Sequence, residues 1–127
     1  MTVGAVSQIH VSVSDLERSV RFYRDVLGVP FLFDVPGQSM AFFQSGDVRL
    51  YLGVPESEAF ASRVTLYFDV DDLVAERERL VEEGVWFLDE PHVVHRDDQG
   101  ELWMSFFRDP DGHNLAITET KPVQKPI

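Results

Sequence analysis

Four short segments place polar and aromatic side chains at alternate positions, and their chemistry is the first thing to weigh. Gln8 and His10 alternate with Ile9, Val11 and Val13, while Arg49 and Tyr51 alternate with Val48, Leu50 and Leu52. Thr65, Tyr67 and Asp69 alternate with Val64, Leu66, Phe68 and Val70; Asn114, Ala116 and Thr118 alternate with Leu115 and Ile117. A period of two is that of a half-buried strand, so in each segment the apolar set packs inward and the other set shares the opposite face. Those opposite faces either converge as the lining of a cup or simply meet solvent. His10 is the candidate catalytic residue, since an imidazole can serve as base, hydrogen-bond donor or lone metal ligand. Its plainer role is that of an ordinary polar-face histidine. Asp69 or Tyr67 beside it would complete a proton-transferring pair. Arg49 adds a fixed cation with a two-pronged donor fork. With Tyr51 and Tyr67 it would hold a carboxylate or a planar oxygenated ring, unless Asp47 merely balances its charge. Gln8, His10, Arg49, Tyr51, Thr65, Tyr67 and Asn114 form the candidate ligand-binding set.

Other constellations have simpler explanations. His92, His95 and Glu101 suggest a metal site, yet residues three apart on a strand point to opposite faces. A hairpin around Asp97-Asp98-Gln99-Gly100 accounts for that segment better. His113 flanks a turn. In Phe42-Phe43 and Phe106-Phe107 one ring of each pair should face each way, as core rather than ligand platform. No glycine-rich phosphate loop exists, because Gly46 and Gly53 stand alone. No serine sits in a nucleophile-elbow pattern. Asp71-Asp72 and Asp97-Asp98 read as a helix start and a turn.

The elements that position these residues occur twice. His10-Val11-Ser12-Val13-Ser14-Asp15-Leu16 is echoed by Tyr67-Phe68-Asp69-Val70-Asp71-Asp72-Leu73, and Gly28-Val29-Pro30-Phe31-Leu32 by Gly84-Val85-Trp86-Phe87-Leu88. Residues 39–52 return, with a turn interposed, as 103–117. Each half therefore runs strand, helix and three strands, giving an α+β fold of two βαβββ modules that would wrap a cup between them. Ser14 with Glu17 three positions on reads as a capping box, and Gly28 as the stop. Between them Leu16, Val20, Tyr23 and Leu27 share a helical face. Asp71 or Asp72 opens the second helix, with Leu73, Leu80 and Val81 inward and Gly84 ending it. The expected layout is a single domain over residues 1–127: one module over about 5–53, a link over about 54–63, a second module over about 64–119, and a loose tail over 120–127. The second half also carries an apparent insertion from Pro91 to Gly100.

Composition narrows the class further. A 127-residue chain with 44% apolar residues and no cysteine can bury a core and holds neither disulfide nor thiolate site. The net charge of −11 is uneven: residues 1–56 carry 4 basic and 6 acidic groups, residues 57–127 carry 7 and 16. No basic stripe offers itself to nucleic acid. No apolar run approaches the ~20 residues of a membrane helix. Nor does the N-terminus read as a secretory signal, so a cytoplasmic location is expected.

Val13-Ser14-Asp15-Leu16-Glu17-Arg18-Ser19-Val20-Arg21-Phe22-Tyr23-Arg24-Asp25-Val26-Leu27-Gly28 and Phe106-Phe107-Arg108-Asp109-Pro110-Asp111-Gly112-His113 carry a family resemblance. With the matched halves, they make residues 6–119 resemble the vicinal oxygen chelate superfamily, the glyoxalase/bleomycin resistance protein/dioxygenase group. The resemblance implies a barrel-like, incomplete cup and a homodimer. It also implies four metal-ligand positions, one on the first and last strand of each module. These fall on Gln8, Tyr51, Thr65 and Ala116, where the family often has histidine and glutamate; glutamine is found at the first position in some glyoxalase I enzymes. An amide, a phenol, a hydroxyl and a methyl do not replace carboxylates and imidazoles. The expectation is thus a glyoxalase/bleomycin-resistance-like protein that binds a small organic molecule and has no metal or other cofactor. The alternatives are a lyase, isomerase or dioxygenase with an atypical site around His10, or a non-catalytic structural or interaction protein.

Overall fold

In the computed structural model, which describes residues 2–122, the chain divides into two compact units after Val64. The first runs β1 (Gln8–Ser12), α1 (Leu16–Arg21), β2 (Phe31–Asp34), β3 (Met40–Ser45) and β4 (Val48–Gly53). Its sheet has the order β1-β4-β3-β2, with β1 parallel to β4 and the other pairs antiparallel. The second runs β5 (Thr65–Asp69), α2 (Leu73–Glu82), β6 (His92–Asp97), β7 (Gly100–Arg108) and β8 (Asn114–Lys121). Its sheet repeats the plan as β5-β8-β7-β6. The βαβββ repeat expected from the internal echo is therefore present in both units.

Alternation sets the inward faces. Val11, Val13, Ala41, Phe43, Leu50 and Leu52 are buried in the first unit with Tyr23 of the helical segment. In the second unit Leu73 and Leu80 of α2 are buried, as are Phe107, Leu115 and Ile117. Full burial of one such side chain is worth about 1.5–3 kcal/mol, which ties each helix to its sheet. Each phenylalanine pair splits as expected: Phe43 and Phe107 are fully buried, Phe42 and Phe106 only partly.

Several local expectations are corrected. Asp15, not Ser14, caps α1: its backbone is extended and its carboxylate accepts from Arg18 N at 3.2 Å. Ser14 Oγ instead accepts from the Arg18 guanidinium at 3.0 Å. The α-helix also stops at Arg21 and continues as a π-helical turn over Phe22–Val26, with Leu27 N donating to Phe22 O. Ser19 and Tyr23, four positions apart, are buried, while Leu16, Val20 and Leu27 are only partly so. Gly28 follows at φ +79°, the left-handed stop expected of it. In α2 the cap is Asp72, which accepts from Ala75 N. Val81, expected inward, is 48% exposed because it lies one residue beyond the buried Leu73–Leu80 stripe.

The second unit departs from strict repetition. Its echo of β2 makes only a single bridge, Phe87 to Phe107. The apparent insertion at 91–100 is itself the edge strand β6 and the two-residue turn into β7. The last strand runs past the expected start of the loose tail: Thr120 and Lys121 still pair with Leu102 and Glu101, and Lys121 Nζ lies 4.5 Å from the Trp103 ring. The part of that tail over 123–127 lies outside the described residues. The link between units holds a short 3-10 turn, Glu58–Phe60, then a clamp onto β1. Ser62 N donates to Ser12 Oγ, and Ser62 Oγ donates to His10 O, both at 2.7 Å.

Candidate functional site

Cross-strand register assembles the first unit's polar face. Gln8 lies opposite Arg49 and His10 opposite Tyr51 on the parallel pair β1–β4. On the other side of β4, Tyr51 faces Phe42 and Arg49 faces Gln44. A bulge between Phe31 and Phe33 then brings Phe33 opposite Phe42 on the edge strand β2. The four rings form a continuous row across the sheet. Phe33 and Phe42 have centroids 4.9 Å apart at 32°, Phe42 and Tyr51 5.1 Å at 19°, and Tyr51 and His10 4.6 Å at 30°. Such offset-stacked pairs add about 0.5–1.5 kcal/mol each beyond their buried area. The row nonetheless stays accessible: Phe33 is 47% exposed, and Phe42, Tyr51 and His10 are partly so.

Gly53 makes this arrangement possible. A Cβ at that position would lie 2.5 Å from Tyr51 Cε1, 2.7 Å from Cζ and 2.8 Å from the phenol oxygen. The Tyr51 ring therefore reclines along its own strand into space that only a glycine leaves open. The Gly53 carbonyl meanwhile lies 3.3 Å from His10 Nε2. A carbonyl only accepts, so Nε2 carries the hydrogen in that contact, and in the neutral ring Nδ1 is left as the acceptor. The exposed Arg49 guanidinium sits 5.9 Å from the Phe42 centroid. Among the described residues it has no ion pair with Asp47, the partner the sequence suggested.

The second unit's equivalent face is different. Thr65 lies opposite Asn114, and Tyr67 opposite Ala116. Tyr67 is 56% exposed and meets Phe106 edge-on at 6.0 Å. Asn114 accepts from Arg108 Nε at 3.2 Å, and Asp69 accepts from Thr118 Oγ1 at 2.9 Å. Two of this face's polar groups are thus engaged locally, and no stacked row forms. Of the candidate set, the fold brings Gln8, His10, Arg49 and Tyr51 together in one unit and Thr65, Tyr67 and Asn114 in the other. Asp69 and Tyr67, proposed partners of His10, belong to the second unit.

The four positions implied by the family resemblance do not fit a divalent cation. Ala116 is a fully buried methyl, the Tyr51 phenol is committed to the ring row, and Gln8 and Thr65 offer only an amide and a hydroxyl. The histidines of β6 do not repair this. His92 Nδ1 is 2.9 Å from Glu90 O, and His95 Nε2 is 3.0 Å from Asp97 Oδ2. Among the described residues no three His, Asp or Glu side chains converge.

Phe33, Phe42 and Gly53 belong to this candidate face, though the sequence alone does not single them out for it. The signal for Phe42 was available, because a pair of phenylalanines on a strand must send one ring to each face. Gly53 carried none.

Two βαβββ units, each a mixed four-stranded sheet under one helix, define a paired-module fold of the glyoxalase type. Solved structures agree: the chain matches the virulence protein STM3117 from Salmonella typhimurium at a TM-score of 0.76 and 23% identity, over 95% of this chain and 100% of that one. It matches TnmS3, an antibiotic binding protein from Streptomyces sp. CB03234, at a TM-score of 0.74 and 28% identity, over 95% and 99%. By sequence it is 34% identical to metallothiol transferase FosB from Lysinibacillus sphaericus (strain C3-41), over 92% of this chain and 83% of that protein. Residues 5–117 match the sequence model of the Glyoxalase/Bleomycin resistance protein/Dioxygenase superfamily, and the chain belongs to that superfamily.

Proposed function

We propose that the protein binds a small organic molecule on the polar and aromatic face of its first unit, without a metal ion. The supporting observation is the row Phe33–Phe42–Tyr51–His10 beside Arg49, which has no ion pair among the described residues; the rings stay partly open on a sheet face. The antibiotic binding of TnmS3 is consistent with such a role for this fold. In this reading His10 orients the ligand through Nδ1, its other nitrogen being held at the Gly53 carbonyl. The protein works in the cytoplasm as a homodimer, a state that sedimentation would verify.

Metal-dependent thiol transfer, favoured by the 34% identity to FosB, is the second reading. Its chemistry needs a cation that the donor set at Gln8, Tyr51, Thr65 and Ala116 does not suit. Elemental analysis after incubation with nickel, zinc, manganese or iron separates the two. Binding without metal predicts none retained, together with library compounds that raise Tm in the wild type but not in Tyr51→Ala. About one tightly held metal per chain overturns the metal-free reading.

A further inference from the structure

Leu16 and Val20, whose spacing marks them for the core, stay half-buried because they floor a cleft of about 270 Å³ between the helical segment and β2. Glu17, Arg21, Arg24 and Asp34 complete its lining. The cleft lies on the helix side of the first sheet, where the Tyr23 ring packs 6.1 Å from that of Phe43. The ring row Phe33–Phe42–Tyr51–His10 is on the opposite side.

Charge is sorted along this cleft. The Arg24 guanidinium lies 5.7 Å from the Phe31 centroid, which fixes where helix and strand meet at one end. From Phe31, β2 advances three residues to Asp34, about 10 Å at a strand's rise. The helical segment runs back seven residues from Arg24 to Glu17, also about 10 Å. Since both line one cleft, the two carboxylates stand at its far end, with Arg21 between them and Arg24. Arg24 is already committed: its Nε and a terminal nitrogen donate to the two Asp25 oxygens at 2.8 and 3.1 Å. Glu17, Arg21 and Asp34 form no ion pair among the described residues. We propose that the cleft binds a small aliphatic α-amino acid. Two carboxylates suit its ammonium, the Arg21 fork suits its carboxylate, and Leu16 and Val20 cover its alkyl chain. A simple anion would face Glu17 and Asp34, and a simple cation would face Arg21, so like-charge repulsion selects against either. A volume below the roughly 300 Å³ at which ordinary ligand pockets begin keeps the occupant small.

NMR titration through the methyl resonances of Leu16 and Val20 tests the proposal with three probes: L-leucine, 4-methylpentanoate (no ammonium) and 3-methylbutylamine (no carboxylate). L-Leucine should move those methyls with a Kd of about 1 mM, the scale of a small ligand at an open site. Each singly charged analogue should bind about three- to fivefold more weakly, as the loss of one solvent-exposed charge contact implies. Arg21→Gln should weaken leucine to the level of the amine and leave the amine no weaker. Glu17→Gln combined with Asp34→Asn should weaken leucine to the level of the acid. All three side chains are exposed, so these changes leave the core intact. Equal binding of leucine and either analogue, or a preference for leucine that survives Arg21→Gln, would overturn the proposal. So would a leucine response confined to the rings of His10 and Tyr51, or no response at either place.

Discussion

Gly53→Ala isolates the contact on which the aromatic row depends. The new methyl would sit 2.5–2.8 Å from the outer atoms of the Tyr51 ring, well inside van der Waals contact. Those atoms are the far end of a side chain, so the ring can swing away, but only by leaving Phe42 at 5.1 Å and His10 at 4.6 Å. Losing two ring pairs at about 0.5–1.5 kcal/mol each costs about 1–3 kcal/mol. Against this, alanine reduces the entropy of the unfolded chain and returns about 0.4–1 kcal/mol. The expected net loss is thus about 1 kcal/mol, read as a lower urea midpoint at unchanged m-value. Stability alone does not identify the cause, so the change is repeated in a Tyr51→Ala background. With no ring to displace, Gly53→Ala there should be neutral or slightly stabilising, giving a coupling energy of about 1–2 kcal/mol between the two sites. An equal loss in both backgrounds would refute the reasoning and locate the clash elsewhere. A silent substitution in the wild type, with the Tyr51 ring resonances unmoved, would refute it as well.

Three further outcomes are expected. Ser62→Ala removes a hydroxyl that donates to His10 O and leaves the Ser12–Ser62 clamp one-sided, so it should cost about 1–2 kcal/mol in chemical denaturation; a loss below about half of that would deny the clamp any role. Asp89→Ala strips the acceptor of Phe106 N at 2.8 Å and of Ser105 Oγ at 3.2 Å, leaving a backbone donor unmet. It should destabilise by about 1.5–3 kcal/mol and speed amide exchange at Phe106, and unchanged exchange there would contradict the assignment. The Asp97 carboxyl is held below the usual carboxylate range, chiefly by the backbone N–H of Gln99 and then by His95. Because its folded value is the lower one, its contribution is present above about pH 4, where the unfolded group has ionised, and fades as pH falls through the folded value. Carboxyl NMR titration should show Asp97 titrating below the usual carboxylate range. A midpoint at the ordinary value would contradict this, and added salt should weaken the shift because the group is exposed.

Much of this architecture is determined by local sequence. The internal echo specifies two βαβββ units, and alternation around His10, Tyr51 and Tyr67 specifies which side chains turn away from each core; β8 breaks the rule, since Ala116 and Thr118 are buried along with Leu115 and Ile117. These features are local because the pleat has a period of two, whatever the strand pairs with. Even there, neighbouring signals compete: Ser14 and Asp15 both suit a helix start, and only the backbone conformation at Asp15 selects the carboxylate. The buried face there runs through Ser19 and Tyr23 and not Val20, and a π-helical turn follows from Phe22.

The site itself is a product of register. Phe33 reaches Phe42 only because of a bulge on β2, Phe42 reaches Tyr51 across β3–β4, and Tyr51 reaches His10 across a parallel pair separated by some forty residues of chain. Gly53 is one glycine among eight in the sequence and gains its role only when Tyr51 lies over it. Residue types and their periodicity determined which faces exist. Tertiary pairing decided which rings stack and whether Arg49 finds a carboxylate, because strand register joins residues far apart in the chain and the local pattern carries no information about it.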